Sequence, residues 1–145
     1  MMGYQYKFDK ILSIREKEKQ DALSKYNNSL KVFEEAAEKL YRMLKKKEDL
    51  QAFQLSKMEE GLPVMELRHH QMFMDNLEKM IDHYQREVVK ARQIMHTLQA
   101  VLLDKNVEVK KFQKIREKDF AKFQTATKLE EKLIMDDLSI QAFLS

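Results

Sequence analysis

Apolar residues recur at alternating steps of three and four positions through the second half of the chain. If Leu67 opens the first heptad, an apolar residue occupies every position a. These residues are Leu67, Met74, Ile81, Val88, Met95, Leu102 and Val109. The d positions, five of the seven apolar, hold His70, Leu77, Tyr84, Ala91, Leu98, Lys105 and Phe112. A repeat sustained beyond about three or four heptads predicts a long helix in a coiled coil.

The first half carries a shorter repeat with the same spacing. Its a positions are Leu23, Leu30, Ala37 and Leu44, and its d positions are Tyr26, Phe33 and Leu40. Beyond Lys47 this phase fails, and the apolar residues move to Leu50, Phe53 and Met58. Such a shift is a stutter, which locally changes the winding of a supercoil. We therefore predict a second long helix with a stutter past Lys47.

Gly61 and Pro63 are the only glycine and proline that fall close together. Glycine suits the left-handed conformation just past a helix, and proline suits the first turn of the next helix. The chain is therefore predicted to be all-α, a long two-helix antiparallel coiled-coil hairpin forming one domain over residues 1–145. Helix 1 spans about 5–59, the turn 60–63 and helix 2 about 64–140. This arrangement places Tyr4 level with Phe120 and leaves residues 121–145 overhanging.

The composition agrees with a helical chain. Glycine occurs twice, proline once and cysteine not at all, whereas Ala, Glu, Lys, Leu and Arg make up nearly half of the residues. These proportions are typical of long helices and exclude sheet folds, which need frequent turn residues. The absence of cysteine excludes disulfides and favours a cytosolic address. The longest apolar run, Ala100–Leu103, is too short for a transmembrane helix of about 20 residues or for a signal peptide.

The charges are balanced and intermixed. Lys and Arg number 27 against 24 Asp and Glu, for a formal net charge of +3. The basic runs Lys45–Lys47 and Lys110–Lys111 lie among acidic residues, whereas a nucleic-acid-binding protein concentrates its basic residues on one face. Nucleic acid is therefore not expected among the partners.

The histidines are the main candidates for a metal site. Glu66 and His69 form a Glu-x-x-His pair, which is half of a di-iron carboxylate site. The residues three positions before the other histidines are Leu67, Met80 and Gln93. The second pair is therefore missing, and His70, at a seam position, is interpreted as a residue that fixes the register. With no Gly-rich phosphate loop or nucleophile elbow, we expect no catalytic residues, no metal and no cofactor.

Near the turn the chain has more apolar residues than a two-helix seam uses. Phe73 and Met80 lie beside the seam of the second helix. The residues of the first helix at the same height are Met43, Leu44, Leu50 and Phe53. This set is interpreted either as a docking face for another protein or as a core shared with a second copy of the hairpin.

The opposite end combines a polar region with an apolar overhang. At Arg15–Asp21 and Lys105 we expect the helices to be loosely held, because the seam lacks apolar residues there. The large apolar residues beyond are Phe120, Phe123, Leu133, Ile134 and Leu138, which indicates that another protein surrounds this end. Thr127 and Glu130 fit a capping box and hence a joint, with a continuous helix as the alternative.

Three blocks of sequence resemble the FliJ family, the stalk proteins of the bacterial flagellar type III export apparatus. They are Tyr6–Glu18 (YKFDKILSIREKE), Arg68–Ile81 with Tyr84, and Glu108–Lys118 followed by Met135–Leu138. Their order and spacing around Gly61 carry the resemblance over nearly the whole chain. Two positions depart from the family pattern, since Pro63 replaces the usual Ser or Thr after the glycine and His69 or His70 stands where relatives often have Tyr.

The resemblance implies a two-helix antiparallel coiled coil similar to the central shaft of rotary ATPases. It also implies a non-enzymatic role that links a hexameric flagellar export ATPase to the large cytoplasmic subunit of the membrane export gate. Export chaperones are further implied partners. The implied location is the cytoplasm, at the cytoplasmic face of the cell membrane at the flagellar base.

The resemblance also implies two sets of binding residues. The gate-binding set is Phe73, Leu77, Met80, Tyr84, Met43, Lys46 and Leu50. The ATPase-binding set is Phe8, Ile11, Leu12, Phe120, Phe123, Asp136, Asp137 and Leu138. The alternative is a generic coiled-coil adaptor or holding chaperone without an ATPase partner. Under this alternative the overhang has no partner to bind, so removal of residues 121–145 is predicted to change little.

Overall fold

The computed structural model describes residues 3–144 and consists of two helices. Helix α1 spans Asp9–Glu60 and helix α2 spans Val64–Leu144, and the described residues contain no strand. The helices pack against each other, so the predicted all-α two-helix hairpin is confirmed. Helix α1 begins at Asp9, later than the expected start near residue 5, and α2 continues past the expected end near residue 140. The last residue of the expected overhang, Ser145, lies outside the described residues.

Gly61 ends α1 in the way its sequence position indicates. Its φ of 88° is in the left-handed region, which glycine adopts without the steric strain of a Cβ atom. The Gly61 amide donates to the Met58 carbonyl at 3.3 Å, and the Leu67 amide donates to the Pro63 carbonyl at 3.0 Å. These bonds close the end of one helix and the start of the next, so only Gly61–Pro63 separate them.

The structure divides into two compact units. Unit 1 combines the residues up to Ala22 with those from Leu102 onward, and unit 2 is Leu23–Val101. Within both units the predicted seam of α2 is confirmed, because all fourteen a and d positions from Leu67 to Phe112 are buried or half-buried. In unit 2 the most buried apolar residues of that seam are Met74, Leu77, Ile81, Val88 and Ala91.

At one of the two seam positions of α1, the residue in the seam lies one place earlier in the sequence than predicted. Tyr26, Phe33 and Leu40 are half-buried as expected, but the other seam position is taken by Ala22, Ser29, Ala36 and Met43. Ala22 and Ser29 are each 7% exposed, whereas the predicted a residues Leu23, Leu30 and Ala37 are half-buried beside them and Leu44 is exposed. Small side chains at the contact let the two backbones approach, and the leucines cover the flank of the seam.

The predicted stutter past Lys47 is wrong. Steps of four and three residues continue without a break through Met43, Lys47, Leu50, Gln54 and Lys57, all half-buried. The long aliphatic stems of Lys and Gln can cover apolar surface while their polar ends reach water. Lys47 also pairs with Glu78 of α2, Nζ to Oε1 at 3.6 Å. A count of apolar residues alone misses seam positions of this kind.

The predicted antiparallel register is confirmed at both ends of the pairing. In unit 1, the ring centroids of Tyr4 and Phe120 are 4.9 Å apart. In unit 2, Phe53 stacks on His70 with centroids 5.3 Å apart. Thr127 lies inside an uninterrupted α2, so the helix has no joint there. No helix in residues 3–144 combines the length and apolarity needed to cross a membrane.

Candidate interaction surfaces

A short non-helical segment joins the start of α1 to α2 in unit 1. We call residues 4–8 the N-terminal strap. The Tyr4 hydroxyl donates to Asp119 Oδ2 at 3.0 Å, and the Tyr6 hydroxyl donates to the Phe112 carbonyl at 3.1 Å. Each hydroxyl therefore reaches a polar partner on α2 while its ring contacts apolar side chains. The strap is thus fastened to α2 by specific bonds.

The strap completes the core of unit 1. Tyr6, Leu12 and Val109 are buried together, with Tyr4, Phe8 and Phe112 packed against them. Val109 is only 1% exposed and Leu12 2%. Burial raises the pKa of Tyr4 and of Tyr6, with the negative charge of Asp119 adding to both shifts. Both tyrosines therefore stay protonated and remain hydrogen-bond donors at neutral pH.

An ionic layer replaces the apolar seam between Arg15 and Lys105. Lys105 Nζ contacts Glu18 Oε2 at 3.1 Å, and Arg15 Nη1 contacts the same oxygen at 3.1 Å. A charged bridge therefore connects the helices at this level, and the expectation that they are loosely held there stays a prediction. A polar layer favours one register at some cost in stability. Arg15 Nε is buried without a hydrogen-bond partner among the described residues.

We expect this layer to make the stability of unit 1 depend on pH. Hydrogen bonds from Lys105 and then Arg15 lower the pKa of Glu18 below its usual 4.5. A carboxyl whose pKa is lower in the folded state adds stability above its unfolded pKa, and this stability is lost as the pH falls through the folded value. In thermal unfolding, we expect Glu18→Gln to be less stable than the unmodified protein at about pH 7. The difference should vanish as the pH falls below 4.5 and then below the lowered pKa.

Glu16→Gln is the matched control, because Glu16 is an exposed carboxylate on the same turn of α1. Its difference from the unmodified protein should stay small and nearly constant with pH. If Glu18→Gln and Glu16→Gln show the same pH dependence, the ionic layer does not contribute to stability.

The expected ATPase-binding set lies in unit 1 and is partly buried. Leu12 belongs to the core, so it can support a surface but cannot itself contact a partner. Phe8 and Phe123 are half-buried, while Ile11 and Phe120 are about two-fifths exposed. The remaining members, Asp136, Asp137 and Leu138, lie on the exposed end of α2.

That end of α2 carries a large apolar surface. From Lys128 to Leu144 every residue is exposed. The large apolar ones are Leu129, Leu133, Ile134, Met135, Leu138, Ile140, Phe143 and Leu144. The predicted start of the overhang at residue 121 is too early, because Phe123 contacts Tyr4. From here on, the overhang means residues 128–144. A helix with apolar residues around much of its circumference is normally enclosed by protein, so the overhang is a strong candidate for a binding segment.

The expected gate-binding set lies in unit 2 and straddles the seam. Phe73 and Met80 are 54% and 44% exposed, whereas Leu77 is 3% exposed and packs inside the seam. Tyr84 is half-buried, as are Met43 and Leu50 on α1, and Lys46 is exposed. A partner on this face would therefore contact Phe73 and Met80 directly, whereas the buried Leu77 offers it almost no surface.

The histidines do not assemble a metal centre. Within residues 3–144 no group of three or more His, Asp or Glu side chains is placed to hold an ion. His69 is exposed. His70 stacks on Phe53 at an interplanar angle of 21°, and its Nδ1 is buried without a hydrogen-bond partner in the described chain. His70 thus acts as an aromatic seam residue.

The N-terminal strap differs from the predicted structure, because the helical pattern predicts a helix from about residue 5. The predicted level of Tyr4 with Phe120 is confirmed. The sequence does contain a signal, because Tyr4, Tyr6 and Phe8 alternate with polar residues. Alternation with a period of two is typical of an extended segment with one buried face.

Comparisons with known proteins identify the family of this chain. Residues 4–145 match the family described as "FliJ: Flagellar FliJ protein". The "Flagellar FliJ protein" of Bacillus subtilis (strain 168) is 45% identical over 143 residues, covering 99% of this chain and 97% of the relative. No solved structure gives a significant match. With the match spanning the strap, both helices and the overhang, the chain belongs to the FliJ family of flagellar proteins.

Proposed function

We propose that this protein is a non-enzymatic stalk of the flagellar export apparatus. Its overhang and strap region bind a hexameric export ATPase, and the face around Phe73 and Met80 binds the large cytoplasmic subunit of the export gate. The protein works in the cytoplasm, at the cytoplasmic face of the cell membrane at the flagellar base. It also assists export chaperones in handling substrates during flagellum assembly.

The exposed apolar overhang is the observation that carries this proposal. Seventeen residues of regular helix, from Lys128 to Leu144, are exposed on every side. Apolar side chains such as Leu133 and Leu138, both more than half exposed, would not stay in water in an assembled complex. A ring-shaped partner can enclose a helix from all sides, which a flat docking surface cannot do.

The second set supports a separate partner. Phe73 and Met80 belong to unit 2, whereas the overhang belongs to unit 1. The two sets share no residue, so each can be altered without changing the other. A chain with two such sites can link two proteins without catalysing a reaction, which fits the role of a connector between ATPase and gate.

We expect the double substitution Phe73→Ala and Met80→Ala to abolish binding to the gate subunit and to leave stimulation of the ATPase intact. Both side chains are exposed beside the seam, so their removal takes contact area from a partner and little from the core. Losing two such anchors reduces affinity by about a hundredfold or more. Pull-down or calorimetric titration with the purified gate domain measures the first effect, and phosphate release measures the second.

Tyr41→Ala provides the control, because Tyr41 is a large side chain of unit 2 that is 65% exposed and lies outside the gate-binding set. It should retain gate binding. If the double variant loses gate binding and ATPase stimulation together while its helix content is unchanged, the idea of two separate sites is wrong.

A generic coiled-coil adaptor or holding chaperone remains the second candidate. The exposed apolar face at Phe73 and Met80 is compatible with it, since such a face also suits a client protein. The two candidates differ in the overhang, which binds a partner only if the protein is a stalk. Removal of the overhang therefore separates them.

A further inference from the structure

The N-terminal strap contacts two members of the expected ATPase-binding set. The ring of Tyr4 lies against Phe120 in an edge-to-face arrangement, with centroids 4.9 Å apart, and against Phe123 with centroids 5.3 Å apart. Phe120 and Phe123 also stack on each other, with centroids 6.5 Å apart and ring planes at 22°. The three rings form one aromatic cluster inside unit 1, in which only Tyr4 comes from outside α2.

The hydroxyl of Tyr4 fixes the position of its ring. It lies 3.0 Å from Asp119 Oδ2 and 3.5 Å from the Arg116 carbonyl oxygen. Arg116, Asp119 and Phe123 follow one another at steps of three and four residues, so they lie on one face of α2. The ring and the hydroxyl of Tyr4 therefore both contact this face, which holds the ring over the two phenylalanines.

The aromatic cluster continues the apolar surface of the overhang. Leu138 follows Phe120 by 18 residues, which is about five turns of an α-helix. Because α2 is uninterrupted from Val64 to Leu144, the two side chains lie on nearly the same side of the helix. Phe120 is 40% exposed and Leu138 56%, so a partner that follows this side of the overhang also reaches the aromatic cluster.

At the level of Phe120 the strap takes the place of a partner helix. Helix α1 begins only at Asp9, and Tyr4 precedes that start. Without Tyr4, the rings of Phe120 and Phe123 would be exposed to water and could change rotamer. A side chain that is already fixed loses less conformational freedom when a partner binds it. The contacts of Tyr4 therefore prepare both rings for binding.

From these contacts we propose that Tyr4 is a positioning residue for ATPase binding. It holds Phe120 and Phe123 in the arrangement that the ATPase contacts, and Asp119 holds Tyr4 in turn. This inference rests on the proposed function, because it names a residue that acts on the ATPase-binding set from the other end of the chain. The strap and the overhang thus form one binding site, and the strap contributes to its affinity.

The test measures ATP hydrolysis by the export ATPase of the same organism at increasing concentrations of the full chain. Tyr4→Ala should raise the concentration for half-maximal stimulation about tenfold and leave the maximal rate unchanged, because the overhang still engages at saturation. Tyr4→Phe keeps the ring and loses the hydrogen bond, so it should raise that concentration about threefold. Gln5→Ala is the matched control, since Gln5 is the exposed neighbour of Tyr4, and it should change neither value.

A double-substitution cycle tests the role of Asp119. Asp119→Ala should match Tyr4→Phe, and the two substitutions together should be no worse than either alone, because each removes the same hydrogen bond. Asp119→Asn keeps a side-chain oxygen that accepts this bond, so it should behave almost like the unmodified chain. A general loss of stability would instead make the effects of the two substitutions add.

Fluorine NMR of the full chain labelled with para-fluorophenylalanine reports the placement of the rings without the ATPase. The substitutions Phe120→Leu and Phe123→Leu identify the two resonances. In Tyr4→Ala both resonances should move toward the position of the free amino acid, because the rings lose their contact with Tyr4. In Gln5→Ala they should stay where they are.

Three results would overturn the inference and leave the proposed function intact. They are an unchanged half-maximal concentration in Tyr4→Ala, a lower maximal rate with no change in that concentration, and unchanged fluorine resonances. If the unmodified chain neither binds nor stimulates the ATPase, the proposed function fails and the inference fails with it. The control Gln5→Ala and the fluorine spectra distinguish these two kinds of failure.

Discussion

A chain that ends at Gln124 is expected to fold and to lose stimulation of the flagellar export ATPase. The truncation keeps the strap contacts, since Tyr4 packs on Phe120 and Phe123 with centroids 4.9 and 5.3 Å apart. It removes the overhang, whose large apolar residues are exposed and contribute little to the packing of unit 1. The predicted effect is therefore a complete functional loss with little change in thermal stability.

The measurement is ATP hydrolysis by the export ATPase of the same organism, with full-length and truncated chains at equal concentration. A full-length chain with Leu129→Gln, Leu133→Gln and Leu138→Gln serves as the matched comparison, since it keeps the helix and removes apolar surface. It should also lose stimulation. Full stimulation by the truncated chain would reject the stalk assignment, and a failure of the full-length chain to bind or stimulate would favour the adaptor.

The second large effect is expected at the core of unit 1. Val109→Asp places a carboxylate where the side chain is 1% exposed and packed with Tyr6 and Leu12. An unpaired charge in such a site destabilises a protein by about 3–5 kcal/mol. We expect the strap to detach and unit 1 to lose protection in hydrogen exchange, while the amides of unit 2 stay protected.

Val107→Asp is the matched control for this substitution. Val107 lies two residues away on the same helix and is 63% exposed, so the same chemical change occurs in water. Surface substitutions of this kind alter stability by less than about 0.5 kcal/mol. Similar unfolding curves for both variants would show that Val109 is not a core residue of unit 1.

The seam of α2 was predictable because its positions are occupied mostly by large apolar side chains. Even His70 and Lys105, the two exceptions, lie at the expected heptad positions and are half-buried. The seam of α1 was harder, since Ser29 and Lys47 do not count as apolar. The leucines at 23 and 30 then shifted the apparent phase by one residue. A heptad count registers hydrophobicity, whereas packing also selects small side chains and long polar ones.

The candidate sites were predictable as regions but not residue by residue. Position along the chain was enough to assign Phe73 and the overhang to separate clusters. It could not show that Leu77 and Leu12 would be buried, because burial depends on which side chain faces the opposite helix. The contacts of the strap could not be predicted from a helical pattern. They join it to Phe112 and Asp119, which are far away in the sequence.

The strap also has a consequence for the order of folding. The Tyr4 and Asp119 side chains that it joins are 115 residues apart in sequence, whereas Phe53 and His70 meet across the short connection at Gly61. Closing a longer loop costs more chain entropy, and contacts between distant residues form more slowly. We therefore expect folding to begin at the Gly61 turn and to proceed toward the termini, so that the N-terminal tyrosines are the last to be fixed.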